Sequence, residues 1–240
     1  MGQTERGERT NRSVCRATHC QSTKAEEGWV VKLDSFILKT PGKKNLYLPN
    51  QDLALLVANE WKKQDEYIRP SLMPLTRLFN VAVEQTPDNR AILIAEARKY
   101  GETDTLCYRE DKVRLHSEEQ ERKWTPILEW AETRNVFLKK TTGIVAIKQE
   151  EASLMMIEQY AAELCNLKLT LFLHLVSVYG SVVLSMAVME ARLNGDEAFN
   201  LSRLDQTWQQ KYWGADEEDA EIVANLRSDV NNLCKILKFV

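Results

Sequence analysis

Few residues in this sequence have types and spacings that could carry out catalysis. Cys107 with His116 or His174 could form a thiol–imidazole pair, in which the imidazole takes the proton of the thiol nucleophile. Glu102 and Asp104 could be imagined as an acid pair for hydrolysis, but carboxylates two residues apart do not converge on a substrate in an extended or helical segment. These residues define an enzymatic alternative. The main expectation is that the chain has no catalytic residue and is not an enzyme.

Metal-binding and cofactor-binding patterns are equally sparse. Cys15, His19 and Cys20 contain ligand atoms, but no second pair of ligands follows at zinc-site spacing. The nine glycines are isolated, and neither GxxxxGK[ST], GxGxxG nor GxSxG occurs. We therefore expect no metal ion and no cofactor.

Composition narrows the class of partner. The 240 residues include 32 basic and 35 acidic side chains, a formal charge of −3, so the chain lacks the basic surface that nucleic acid or anionic lipid would require. The hydrophobic fraction of 44% and the charged fraction of 28% are typical of globular proteins. Five scattered cysteines, an odd number, favour a reducing compartment over a disulfide framework.

The pattern along the chain predicts an α+β protein with segregated halves. Residues 1–27 read as a disordered leader, with a presequence and an overextended start site as alternatives. Residues 28–74 form a small β-rich N-terminal domain with one helix, because the runs WVVKLD, FILKT and NLYLP are separated by turn residues. Prolines 70 and 74 mark the junction. Residues 75–240 form a larger helical domain.

The run 169–189 has 21 residues without a Lys, Arg, Asp or Glu, which is long enough to cross a bilayer. We predict that it lies within one buried central helix, from about Leu167 to Leu193, and keep a membrane-associated helix as the alternative. The reason is that its polar residues follow helical spacing and form a single stripe. They are Thr170, His174, Ser177, Ser181 and Ser185.

One acid falls on the apolar face of a predicted helix from Asp196 to Tyr212. At about 100° per residue, Asp205 lies inside the stripe formed by the apolar and aromatic side chains. A buried carboxylate needs a partner, and two kinds remain open. An internal partner such as Arg77 or His174 is one; another protein is the other. The stripe consists of Ala198, Leu201, Leu204, Trp208 and Tyr212.

Several runs, in this order, are similar to one known family. They are LKTPGKKNLYLP (38–49), LLVANEWKKQ (55–64), IRPSLMPLTRLFNVAV (68–83), YGETDTLCYR (100–109), WTPILEW (124–130), TTGI (141–144), YGSVVL (179–184) and SRLDQTWQQKYWGADEE (202–218). Together they resemble the assembly chaperone of ATP synthase that binds the alpha subunit of its soluble catalytic sector. The similarity covers about 29–240.

This resemblance implies a chaperone that shields the free alpha subunit until the beta subunit replaces it, without membrane insertion, and a monomer when free. It is closest to the bacterial branch, which implies a cytoplasmic location, with the mitochondrial matrix as the alternative. The acidic position of the family's SRL-acid motif falls on Asp205, where members often have Glu and a second acid; here Gln206 follows. Trp61 and Arg77 lie in other motifs and are interpreted as structural.

Aromatic residues around this acid could supply contact area for a partner. Trp208, Tyr212 and Trp213 follow Asp205 within eight residues. We therefore predict that the partner-binding residues are Asp205, Trp208, Tyr212 and Trp213.

Overall fold

The computed structural model describes residues 20–65, 67–143, 145–214 and 217–240, and within these it describes no side chain for residues 213 and 217–219. The chain separates into two compact units, residues 1–77 and 78–240. The first contains a three-stranded antiparallel sheet, and the second is mainly helical. This is the α+β class that the sequence predicts.

The sheet of the first unit begins earlier than the sequence suggests. Strand β1 (Cys20–Ala25) pairs antiparallel with β2 (Gly28–Leu33), and β2 pairs with the short β3 (Phe36–Ile37). The predicted disordered leader is therefore wrong for β1, while residues 1–19 lie outside the described residues. The segment CQSTKA is polar and has no apolar alternation of its own, and its order comes from the ladder that it forms with β2.

The run NLYLP adjoins β2 through an isolated bridge. The backbone amides of Trp29 and Leu48 each donate to the carbonyl oxygen of the other, at 2.9 and 2.7 Å. Gly28 precedes this bridge with φ of +145°, and a Cβ there would lie 2.8 Å from the Leu48 carbonyl oxygen. A glycine is therefore required where the two backbones approach each other.

Helix α1 (Gln51–Lys62) packs on the sheet through buried residues such as Leu53 and Val57, and the Asn50 side chain caps its first turn. Near its other end, the Glu60 carboxylate accepts hydrogen bonds from the amides of Leu75 and Thr76 and from the Thr76 hydroxyl, at 2.7–2.8 Å. These amides belong to the first turn of the next helix, so Glu60 satisfies donors that would otherwise be unpaired. Burial nevertheless raises the pKa of Glu60.

The next helix, α2 (Pro74–Glu84), runs across the boundary between the units, and the rest of the chain is mainly helical. Among the described residues of the second unit, the short strands β4 (Tyr108–Arg109) and β5 (Thr141–Thr142) pair in parallel. The remaining helices are α3 (Thr86–Glu102), α4 (Arg114–Glu132), α5 (Glu151–Glu163), α6 (Asn166–Tyr179), α7 (Val182–Met189), α8 (Gly195–Ser202), α9 (Leu204–Trp213) and α10 (Glu217–Cys234). Helices α6 and α7 form the centre of the core, in contact with α3, α4 and α8.

The predicted single helix over the apolar run is wrong, although the run is largely buried as expected. Gly180 adopts a left-handed conformation (φ of +61°) that ends α6, and Ser181 caps α7 through its hydroxyl. The Asp104 carboxylate receives hydrogen bonds from the Ser181 hydroxyl at 2.9 Å and the Val183 amide at 3.0 Å. A buried acid thus satisfies the beginning of α7, and the stripe of polar residues does not continue across the break.

This break also shortens the helices formed by the run 169–189. Its two helices have 14 and 8 residues, short of the roughly 20 that a bilayer span requires. In the part of the chain that the structure describes, no helix combines the length and the apolar character that membrane crossing needs.

The helix predicted from Asp196 to Tyr212 is also two helices. Arg203, with φ of −108° and ψ of 21°, separates α8 from α9. In a continuous helix the Leu201 carbonyl would accept the Asp205 amide, but here it accepts the indole N–H of Trp124 at 2.9 Å. Ala198 and Leu201 therefore do not extend the apolar stripe of α9. Asp205 instead lies in the first turn of α9.

Candidate functional site

Asp205 is held by two side chains from α4. Its Oδ1 atom accepts a hydrogen bond from Nε2 of Gln120 at 2.8 Å and lies 3.0 Å from Nε2 of His116. Both α4 residues are buried, at 1% and 5% exposure, whereas 36% of the Asp205 side chain remains exposed. The acid therefore lies at the surface, and its support comes from inside the unit.

The two α4 residues are in register because they are four residues apart on one helix face. The orientation of the Gln120 amide is fixed by a second contact, in which its Oε1 accepts the backbone amide of Glu110 at 2.8 Å. Oε1 is then the acceptor, so Nε2 points to Asp205. Hydrogen bonds from the amides of Lys112, Val113 and Asp111 to its own carboxylate lower the pKa of Glu110. The segment before α4 thus holds the network in place.

Aromatic rings continue from the acid toward solvent. The ring of His116 stacks on that of Trp208, with 4.7 Å between centroids and 3° between planes. The ring centroids of Trp208 and Tyr212 are 5.7 Å apart, and 65% of Tyr212 is exposed. The Nζ atom of Lys211 lies 5.3 Å from the centroid of the Trp208 ring, a cation–π distance.

The structure brings together three of the four predicted binding residues. Asp205, Trp208 and Tyr212 follow one another along α9 at spacings of three and four residues. The side chain of Trp213 lies outside the described part of the chain, so its place in this cluster stays a prediction.

Sequence reasoning missed the residues that hold the acid. It suggested Arg77 or His174 as internal partners, whereas the described contacts of Asp205 come from His116 and Gln120. The spacing of these two residues on one helix face is a signal in the sequence. Their proximity to a residue more than 80 positions later is set by packing alone.

A buried arginine also lies near the acid, and sequence reasoning did not single it out. Arg109 is 8% exposed, donates from Nε to the Leu106 carbonyl at 3.0 Å, and places its guanidinium carbon 5.2 Å from the Trp124 centroid. Its Nη1 lies 3.7 Å from Oε2 of Glu121, and neither terminal nitrogen is hydrogen-bonded within the described residues. Burial lowers the pKa of Arg109, while the charges of Glu121 and Asp205 act to raise it.

The residues of the enzymatic alternative do not form a reactive site. Cys107 is 1% exposed, and burial together with the charge of Asp104 raises the pKa of its thiol far above the physiological range. A buried thiol of this kind is not a nucleophile. Asp104 is fully buried, whereas Glu102 is exposed, so the two carboxylates do not share a cleft. Within the described residues no group of His, Cys, Asp and Glu could hold a metal ion; Cys15 and His19 lie outside them.

Comparisons with known proteins connect this arrangement to one family. A model of the ATP12 chaperone protein family matches residues 14–132. Atp12 from Paracoccus denitrificans has 34% sequence identity and a TM-score of 0.85, with 91% of this chain and 94% of that chain covered. The same values hold for an aspartate-to-lysine mutant of that protein. A candidate chaperone from Agrobacterium tumefaciens is 27% identical with a TM-score of 0.86, covering 91% of this chain and 83% of that chain.

These similarities exceed a shared fold, because 34% identity extends over nearly the whole length of both chains. The structural match also reaches beyond the residues matched by the family, since it covers 91% of this chain. The resemblance found in the sequence runs is therefore confirmed. The chain belongs to the ATP12 chaperone family, a family of ATP synthase assembly chaperones.

Proposed function

We propose that this chain binds the free alpha subunit of the ATP synthase catalytic sector and covers the surface that later meets the beta subunit. An orphan subunit of an obligate assembly exposes a large apolar interface and aggregates. A chaperone that covers this interface prevents aggregation, and the beta subunit displaces it if the final interface is larger. This exchange requires no catalytic step by the chaperone.

The observation that supports this site is the combination of a partly exposed acid with two aromatic rings on one helix, of which Tyr212 is exposed. Asp205 is supported from within by His116 and Gln120, and Trp208 and Tyr212 extend from it toward solvent. Aromatic and charged side chains with partial burial are typical of the few residues that dominate binding energy in protein interfaces. We therefore assign partner binding to Asp205, Trp208, Tyr212 and, from the sequence, Trp213.

The test is the effect of Asp205→Lys on the alpha subunit. We expect the wild-type chain to keep isolated alpha subunit in solution, and Asp205→Lys to weaken the complex by at least a hundredfold, because it replaces an attractive charge by a repulsive one. Light scattering of the alpha subunit and titration calorimetry would measure these two effects. Circular dichroism and the melting temperature would show whether the variant is folded.

Glu129→Lys provides a matched control. Glu129 is an exposed acid on α4, nine residues after Gln120, which places it about 180° around the helix. The change in charge is the same, but the position is away from the site, so binding should stay within about twofold of wild type. Equal losses in both variants would mean that net charge, and not the Asp205 site, controls binding. A folded Asp205→Lys chain with full activity would overturn the assigned site.

Two further properties belong to this proposal. We take the free chain to be a monomer, because the surface assigned to the alpha subunit must be accessible before binding. We also place it in the bacterial cytoplasm, with the mitochondrial matrix as the alternative, since the chain must encounter the free alpha subunit before ATP synthase is assembled. Sedimentation of the free chain and fractionation of cells would examine these two statements.

A further inference from the structure

The two oxygens of the Asp205 carboxylate have different environments. Oδ1 meets Nε2 of Gln120 at 2.8 Å and Nε2 of His116 at 3.0 Å, which fills the two acceptor positions of one carboxylate oxygen. Oδ2 accepts no hydrogen bond from any residue that the structure describes. Because 36% of the side chain is exposed, the group holds one oxygen inward and leaves the other for a partner.

Among the described residues, the groups that could compensate the charge of this carboxylate are His116 and Arg109. Across the described residues, its recorded ion-pair contact is with the imidazole of His116, which is charged only when protonated. The guanidinium of Arg109 acts on it through space and is itself buried and paired at 3.7 Å with Glu121. A partly exposed carboxylate with one unused oxygen is a receptor for a cation.

The aromatic rings beside the acid restrict the kind of cation. Trp208 already has the Lys211 ammonium group 5.3 Å from its ring centroid, so this ring accommodates positive charge in the free protein. Tyr212 presents a further ring, 65% exposed. A planar guanidinium can donate hydrogen bonds to a carboxylate while its flat surface rests on aromatic rings, whereas an ammonium group is a compact and strongly hydrated point charge.

We infer that Asp205 receives an arginine side chain of the alpha subunit, whose guanidinium donates to Oδ2 and packs against Trp208 and Tyr212. This inference rests on the proposed function and specifies its chemistry. Gln120 and His116 keep Oδ1 occupied, so that the free oxygen is held toward the incoming guanidinium. The Lys211 ammonium group then moves away from the Trp208 ring when the arginine binds.

The first measurement is the dissociation constant of the alpha subunit for wild type and for Asp205→Asn. The asparagine side chain has nearly the same shape but lacks the charge, and we expect about 30-fold weaker binding, as for the loss of one partner of a desolvated charge pair. Glu129→Gln, the same acid-to-amide change on the far side of α4, should remain within about twofold. Melting temperatures within about 2 °C of wild type would show that both variants are folded.

The second measurement identifies the partner residue. A photoreactive phenylalanine analogue in place of Tyr212 would crosslink to the contacting segment of the alpha subunit, whose arginines are then replaced one at a time by Glu. One such substitution should abolish binding to the wild-type chain. Asp205→Arg should bind that substituted alpha subunit at least tenfold more tightly than the wild-type chain does. Replacing the same arginine by Lys should retain only part of the affinity.

The outcomes separate the two proposals. If wild-type chain does not bind the alpha subunit, the proposed function fails and this inference fails with it. If wild type binds but Asp205→Asn binds equally well, the inference alone is overturned. It is also overturned if Asp205→Arg restores the binding of none of the alpha-subunit variants in which an arginine is replaced by Glu. The same holds if replacing the arginine by Lys causes no loss of affinity.

Discussion

Two aspartates of the helical unit differ in how their carboxylate oxygens are hydrogen-bonded. Asp104 is fully buried, and both of its oxygens accept hydrogen bonds, from the Leu106 amide on one oxygen and from Ser181 and Val183 on the other. Asp205 is partly exposed, and only one of its oxygens is occupied. We therefore expect the number of donors on each oxygen to distinguish a structural acid from one that is available for binding.

The environment of Asp104 explains why it tolerates complete burial. Its donors include amides of the first turn of α7, where the helix dipole stabilises negative charge. Burial still raises the pKa of Asp104, against the effect of the hydrogen bonds from Val183, Leu106 and Ser181. The arrangement also connects the turn after α3 to the start of α7, at the point where the apolar run breaks into two helices.

The largest expected effect is therefore on the stability of the Asp104 site. Asp104→Ala leaves the Ser181 hydroxyl and the Val183 and Leu106 amides without their acceptor, and we expect a loss of about 3–5 kcal/mol in the free energy of unfolding. Urea denaturation followed by circular dichroism measures this value. Alpha-subunit affinity, corrected for the folded fraction, should not change.

Ser181→Ala provides the graded comparison at the same site. It removes one donor to Asp104 and the cap of α7, and should cost about 1–2 kcal/mol. A stable Asp104→Ala chain that has lost affinity for the alpha subunit would contradict the distinction between Asp104 and Asp205, because Asp104 would then belong to the binding site.

Substitution of Gln120 should affect both stability and binding, and each effect should be smaller than at Asp104 or Asp205. Gln120→Leu removes the amide donor of Asp205 and leaves the Glu110 amide without its acceptor, at a cost of about 1–2 kcal/mol in unfolding free energy. Binding should weaken about tenfold, because the carboxylate loses the contact that fixes its orientation. Gln120→Glu, which places a second acid beside Asp205, should weaken binding further.

The relevant comparison for Gln120 is with Asp205→Asn. If Gln120 acts only by orienting Asp205, the double variant Gln120→Leu with Asp205→Asn should bind about as well as Asp205→Asn alone. Additive losses would show that Gln120 contributes to binding by another route.

Local signals in the sequence are sufficient to identify Asp205 and to indicate one of the helix breaks. Asp205 stands out because an acid next to aromatic residues at helical spacing is visible within a single turn or two. The break at Gly180 and Ser181 also carried a signal, a helix-ending glycine followed by an N-cap serine, which the length of the apolar run obscured.

Other features depend on distant contacts, and the sequence contains no local signal for them. His116 and Gln120 precede Asp205 by 89 and 85 residues, and only the packing of α4 against the start of α9 makes them neighbours. At the break between α8 and α9, the Leu201 carbonyl accepts a hydrogen bond from the Trp124 indole, 77 residues earlier in the chain. The burial of Arg109 likewise follows from packing, since arginine is usually exposed.

A third acid, Asp196, gives the smallest expected effect and tests whether donor number alone classifies these sites. Its two oxygens are both paired, with Nε and Nη2 of Arg227, yet 43% of the side chain is exposed. The hydrogen bonds to Arg227 lower the pKa of Asp196 from 3.8 to about 2. By the donor criterion Asp196 is structural, although its exposure resembles that of Asp205.

The pH dependence of stability follows from the sign of this shift. Because the folded pKa is below the unfolded value, the ion pair contributes its stability above about pH 4 and loses it as the pH falls toward 2. Exposure screens the pair, so Arg227→Gln should cost only about 0.5–1 kcal/mol at pH 7 and almost nothing near pH 2. Burial gives Asp104 a slope of the opposite sign, so the quantity to measure is the difference between wild type and variant in urea denaturation at pH 7, 4 and 2.5. Alpha-subunit binding should be unchanged, and a loss there would show that saturated oxygens do not exclude an acid from the binding surface.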